Sequence, residues 1–121
     1  MSNFINVNGT LIYINSFGDK GISIGESSVV TINNVNIING EIAVSVKDKS
    51  KLTGDNLTIK KCKVGLSAYC KKPIFGPGHI NINSIIMDSV MLPNVLEKGS
   101  TIIIDGEILE SNYKNVKYFD H

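Results

Sequence analysis

A 22-residue self-similarity constrains this chain more than any other feature of its sequence. Setting "GISIGESSVVTINNVNI" above "AVSVKDKSKLTGDNLTI" brings Ile22 and Ile24 over Val44 and Val46, and Ser28 over Ser50. It also brings Val30 over Leu52, Asn34 over Asn56, and Val35 with Ile37 over Leu57 with Ile59. The same shift carries Val44 and Val46 on to Leu66 and Ala68. The register then slips by six residues within "YCKKPIFGPGH", so that Leu52, Gly54, Leu57 and Ile59 are matched 28 positions later by Ile80, Ile82, Ile85 and Met87. A shift of 22 returns, carrying Ile80 to Ile102, Ile82 to Ile104 and Met87 to Leu109. Upstream, "GTLIYINSF" reads as an incomplete earlier turn in looser register. Self-similarity at a fixed period marks an architecture of stacked units, none of which buries its apolar face alone.

Within each unit apolar and polar residues alternate, and helical periodicity is nearly absent. About 22 residues suffice for three short strands and three bends, one rung of a parallel β-solenoid stacked on the next at about 4.8 Å. The expectation is one all-β domain over residues 1–121, a parallel β-helix of about five rungs with its repeat core at 18–109. Inward columns are expected at Ile22, Val44 and Leu66; at Val30, Leu52, Ile80 and Ile102; and at Ile37, Ile59, Met87 and Leu109. Ser23, Ser45 and Ser67 would form an outward serine row. The pairs Asn33–Asn34, Asp55–Asn56, Asn83–Ser84 and Asp105–Gly106 recur between inward positions and read as one corner repeated on every rung. Asn and Gly accept the left-handed backbone that such a corner needs, and Ser84 is its weak member.

The spacing, the Asn positions and the phrases "GDKGISIGE" and "KVGLSAYCKKPIFGPG" resemble right-handed parallel β-helix repeat proteins, the pectate-lyase-like superfamily. More narrowly, they are similar to β-helix segments of bacterial surface proteins. The resemblance implies a right-handed coil, an extracellular or cell-surface setting, and polysaccharide as the substrate of the superfamily's enzymes. Those enzymes use clustered carboxylates, or Ca²⁺-binding acids with a strong base.

The composition narrows function further. The 121 residues (13.2 kDa) are 42% hydrophobic and 19% charged, the profile of a globular chain. No apolar run is long enough to cross a bilayer and no signal segment opens the chain, so membrane insertion is not expected. A net charge of +1, with every basic residue a Lys, speaks against nucleic acid, whose readout favours Arg. Cys62 and Cys70 flank a strand at Lys63–Tyr69 that holds them about 25 Å apart, too far for a disulfide.

Candidate chemistry is sparse. Glu26 and Asp48 share a column one repeat apart and are the best carboxylate pair, with Lys47, Lys49 and Lys51 nearby to neutralise them. The insertion at 70–78 and its flanks present Tyr69 and Phe75 as flat apolar faces, and Lys71, Lys72 and His79 as donors, a set suited to a glycan or a partner. Neither His79 nor His121 has a neighbour at metal-ligand spacing, and no phosphate loop, nucleophile elbow or CxxC motif exists. Catalytic residues, metal ligands and cofactors are therefore not expected. The reading is a non-catalytic structural module for display, spacing or self-assembly; the alternative is a carbohydrate-binding module or a polysaccharide-active enzyme fragment. A C-terminal cap at 110–121, with Tyr113, Tyr118 and Phe119 over the last rung, would protect the open strand edge. Failure of that cap would give a homo-oligomer through the solenoid ends.

Overall fold

The computed structural model describes residues 4–15 and 19–114. Those residues are all β, with no helix, and so none long and apolar enough to span a membrane. Seven strands follow in order: β1 (Phe4–Asn15), β2 (Lys20–Ile24), β3 (Val29–Lys47), β4 (Lys51–Tyr69), β5 (His79–Leu96), β6 (Thr101–Ile104) and β7 (Glu107–Ile108). They form one sheet in the order β1-β3-β4-β5-β6-β7, with β2 also paired to β3. Every pairing is parallel except β6 with β7.

The sequence repeat is the pairing register. Along β3 and β4 each partner lies 22 residues on, from Val29↔Lys51 to Lys47↔Tyr69. Between β4 and β5 the offset becomes 28, from Lys51↔His79 to Ala68↔Leu96, and it returns to 22 at His79↔Thr101. The looser register upstream is also real: Phe4↔Val29 is an offset of 25 and Ile12↔Val35 one of 23, with an irregularity between. β-Branched and aliphatic residues stack on their own kind in these ladders. Leu57, Ile59, Val44, Leu66, Leu52 and Ile102 are completely buried, each contributing roughly 1.5–3 kcal/mol relative to an exposed side chain.

Strands of 18 or 19 residues are long for a globular protein, and left-handed residues subdivide them. The expected corner carries positive φ at Asn34 (58°), Asn56 (58°) and Ser84 (60°). Five residues further on lies a second left-handed column, at Asn39, Lys61 and Ser89. The sequence signal there is weak, because Lys and Ser do not advertise such a backbone. Between strands, Glu26 with Ser27, and Asp48 with Lys49, are left-handed as well. Each repeat thus has three straight segments: a first (42–47 in β3), a second (29–33) and a third (35–38). The principal core draws side chains from all three, among them Val46, Val30 and Ile37.

Two expectations are corrected. Asp105–Gly106 is not a fourth corner. Both residues have positive φ (50° and 81°), and Ile104↔Glu107 and Ile103↔Ile108 pair antiparallel across them. An Asp-Gly pair with φ > 0 at both positions makes a type I′ turn, whose twist reverses a strand onto itself. Leu109 consequently does not continue the Met87 column; its N–H returns to the Ile102 carbonyl at 3.0 Å. The serine row is not a solvated outer face either. Ser23 is exposed, but Ser45 and Ser67 are buried. Ser45 Oγ is bonded to Tyr69 Oη at 2.8 Å, and Ser67 donates to the Val44 carbonyl at 2.9 Å. Tyr69 itself belongs to a second apolar cluster with Ile42, Val64 and Val95.

Of the proposed cap, Tyr113 packs on that second cluster and forms a parallel bridge with Glu97. Asn112 holds the neighbouring edge: its Oδ1 accepts the Leu96 N–H at 2.7 Å and its Nδ2 donates to the Asn94 carbonyl at 2.8 Å. Tyr118 and Phe119 lie outside the described residues.

Candidate functional site

From β3 onward the repeat keeps its geometry except at one junction. Residues 25–28, 48–50 and 97–100 carry the chain from first to second segment in three or four residues, whereas 70–78 makes the same passage as a longer loop. Its attachment begins with a buried acid. Asp48 is fully buried, and its Oδ1 accepts the N–H groups of Lys71 (2.8 Å) and Lys72 (2.7 Å). From the next repeat, Glu97 Oε1 accepts the Cys70 N–H at 3.0 Å. Two carboxylates from the repeats on either side thus hold the three amides that launch the loop. Lys49 N–H donates to the Pro77 carbonyl at 2.9 Å, fastening the far end to the same corner.

Gly78 closes the excursion, and a Cβ there would lie 2.1 Å from the Val46 carbonyl oxygen. No side chain fits. This explains a gap in a buried serine column: Ser50 Oγ accepts the Ser28 N–H at 3.0 Å and Ser100 Oγ accepts the Gly78 N–H at 3.1 Å, while position 78 itself carries no hydroxyl.

The five proposed binding residues do not converge. Tyr69 is 2% exposed and offers no face to a ligand, because its ring completes the second cluster and its hydroxyl is taken by Ser45. Lys71 and Lys72 are both exposed, and Lys72 Nζ is paired with Glu26 Oε1. That contact lowers the Glu26 pKa and raises that of Lys72, through the hydrogen bond first and charge second. Phe75 is half-buried, and the loop's outermost apolar group is instead Ile74, 87% exposed. Its flanking Pro73 and the "GPG" that follows were the available signs of a stiff, projecting tip.

The supposed carboxylate pair also separates into two roles. Asp48 is buried as the loop anchor and Glu26 is a surface partner of Lys72, so the lysine that neutralises Glu26 comes from the insertion. Both cysteines are free, and burial raises the pKa of each thiol, the opposite of what activates a nucleophile. Among the described residues no three His, Cys, Asp or Glu side chains are grouped to hold a metal ion.

His79 lies apart from the loop tip, in a shallow groove with about 200 Å³ of space lined by Lys51, Thr53, Asn81, Thr101 and Ile103 among others. Its Nδ1 is bonded to Thr101 Oγ1 at 2.8 Å. Burial, then the charge of Lys51, lowers its pKa, so the ring favours the neutral form. The groove follows the ladder: Lys51, His79 and Thr101 are successive partners, as are Thr53, Asn81 and Ile103. Comparisons with family models, curated proteins and solved structures return no match.

Proposed function

We propose that the chain is a short right-handed parallel β-helix of about five rungs, and that its function is structural: a rigid module that displays the 70–78 loop and spaces what it is joined to. The observation that carries this reading is the anchoring of the loop by Asp48 and Glu97 onto a ladder that is regular on either side of it. Three left-handed stations per repeat, and a core fed by all three segments, favour closure of each repeat into a coil. The right hand is the one parallel β crossovers adopt. The polar groups around the loop are engaged in holding backbone, which suits a scaffold better than a reacting site. The bacterial-surface setting comes from the resemblance to β-helix segments of such proteins.

The test is insertional. An unrelated ten-residue epitope placed after Ile74 is expected to bind its antibody and to leave the thermal midpoint within about 3 °C, as tolerated loop insertions do. Loss of cooperative unfolding would count against display. A carbohydrate-binding role is the second reading, favoured by the Lys51, Thr53, His79, Asn81 and Thr101 groove. It requires that a glycan panel give a hit that His79→Ala abolishes.

A further inference from the structure

Burial falls off most along the third segment at the upper end of the ladder. In the third segment Val35, Leu57, Ile37 and Ile59 are buried to 1% exposure or less, but their next partners in register, Ile85 and Met87, are only half-buried. The same loss occurs from Cys62 to Val90 and from Val64 to Leu92. Outward from this stretch, Ile86 and Met91 are 62% and 76% exposed, where the lower repeats carry Asn36 with Thr58 and Glu41 with Lys63. Elsewhere on the upper end Ile102, Ile82, Val95 and Leu96 are buried, and Ile104 is half-buried beneath the hairpin.

The cause is uneven capping. The second segment of β5 is covered by β6, and β6 by β7. The end of the first segment is covered by residues 112–113. Among the described residues, nothing pairs with the edge of β5 facing away from β4 between Ile85 and Leu92. That edge lies in a notch, two strands below β7 on one side and flanked on the other by the Asn112–Tyr113 cover at Leu96 and Glu97. With strands about 4.8 Å apart, the notch admits a single extended segment and holds off the folded end of a second copy.

We infer that this notch is a strand-acceptor site for an extended segment of another protein, apolar at alternate inward positions and carrying a lysine outward. The inward requirement is the completion of the Ile85 and Met87 columns. The outward one is charge. In the third segment the outer ladder runs Lys60↔Asp88, and Asp105, Glu107 and Glu110 are exposed on the same end of the molecule. A cation placed beyond Asp88 continues the alternation, and opposite charges across adjacent strands are favourable. Main-chain bonds supply affinity and the alternate side chains supply selectivity, as in β-augmentation generally.

β5 already accepts such a segment on its other edge, where Leu57, Thr58, Ile59 and Lys60 face Ile85, Ile86, Met87 and Asp88. The probe is therefore the synthetic octapeptide of residues 57–64 with Cys62→Ser, added to the whole ¹⁵N-labelled chain. Saturable shifts confined to the amides of Ile85–Leu92 and their neighbours are expected. A peptide carrying Lys60→Glu should bind about two- to fivefold more weakly, and the Asp88→Lys protein should reverse that preference. Asp88 is exposed, so this variant keeps its fold, checked by an unchanged amide spectrum away from the notch. Absence of saturable binding, or a preference that Asp88→Lys leaves unaltered, overturns the proposal. So does a dimer in light scattering that the peptide dissociates, which makes a second copy the occupant. Binding seen only after truncation at Lys114 overturns it too, since the chain's own terminus then fills the notch.

Discussion

Asp48 ties the start of the 70–78 loop to the repeat beneath it. The Lys71 and Lys72 amides both bond to its Oδ1, while its buried Oδ2 has no hydrogen-bond partner among the described residues. Asp48→Ala leaves the Lys71 and Lys72 amides without an acceptor, and is expected to cost about 2–4 kcal/mol. Asp48→Asn keeps an acceptor and should cost less, both read by urea denaturation. His79 makes the second residue-scale prediction. Its folded pKa lies below the unfolded value of about 6.5, because of burial and Lys51. The unfolded chain therefore binds the proton more readily. Stability is unpenalised above that unfolded value and falls as pH drops through it toward the folded pKa. The decline in thermal midpoint between about pH 7 and pH 5 should be shallower in His79→Gln.

At the scale of the element, the bends carry the fold and the hairpin stops it. Asn34, Asn56 and Ser84 each turn a strand while the parallel ladder continues, whereas Asp105 and Gly106 together reverse it. Gly106→Val forces a β-branched residue into the left-handed region, at a cost of about 1–2 kcal/mol. Hydrogen exchange at Ile103 and Ile104 should rise in that variant more than at Leu52. The parallel ladder and the inward columns were legible because they repeat, and each position could be checked against its neighbours. The hairpin was misread because Asp105–Gly106 occupies the column of the corners, and periodicity outweighed the local Asp-Gly signal. The second bend column was invisible, since packing rather than preference puts Lys61 and Ser89 in the left-handed region. Likewise the burial of Tyr69 and Ser45 depends on a second cluster assembled from β3, β4 and β5, which no single stretch of sequence describes.

For the whole molecule, what matters is which intervals are allowed to vary. The two left-handed columns are five residues apart in the three repeats of β3, β4 and β5, 34 to 39, 56 to 61 and 84 to 89. Deleting Ile38 shortens one such interval and shifts every later side chain of that strand to the opposite face, so loss of the cooperative thermal transition is expected. Deleting Ile74, inside the 70–78 loop, should leave that transition in place. From β3 onward only the junction between first and second segments changes length, between three residues at 48–50 and nine at 70–78, and Gly78 made the longest version compatible with the strand beneath it. From β3 onward two sides of the molecule therefore keep time while the third is free to improvise. Lineages of this chain should diverge by gaining and losing residues along that one face.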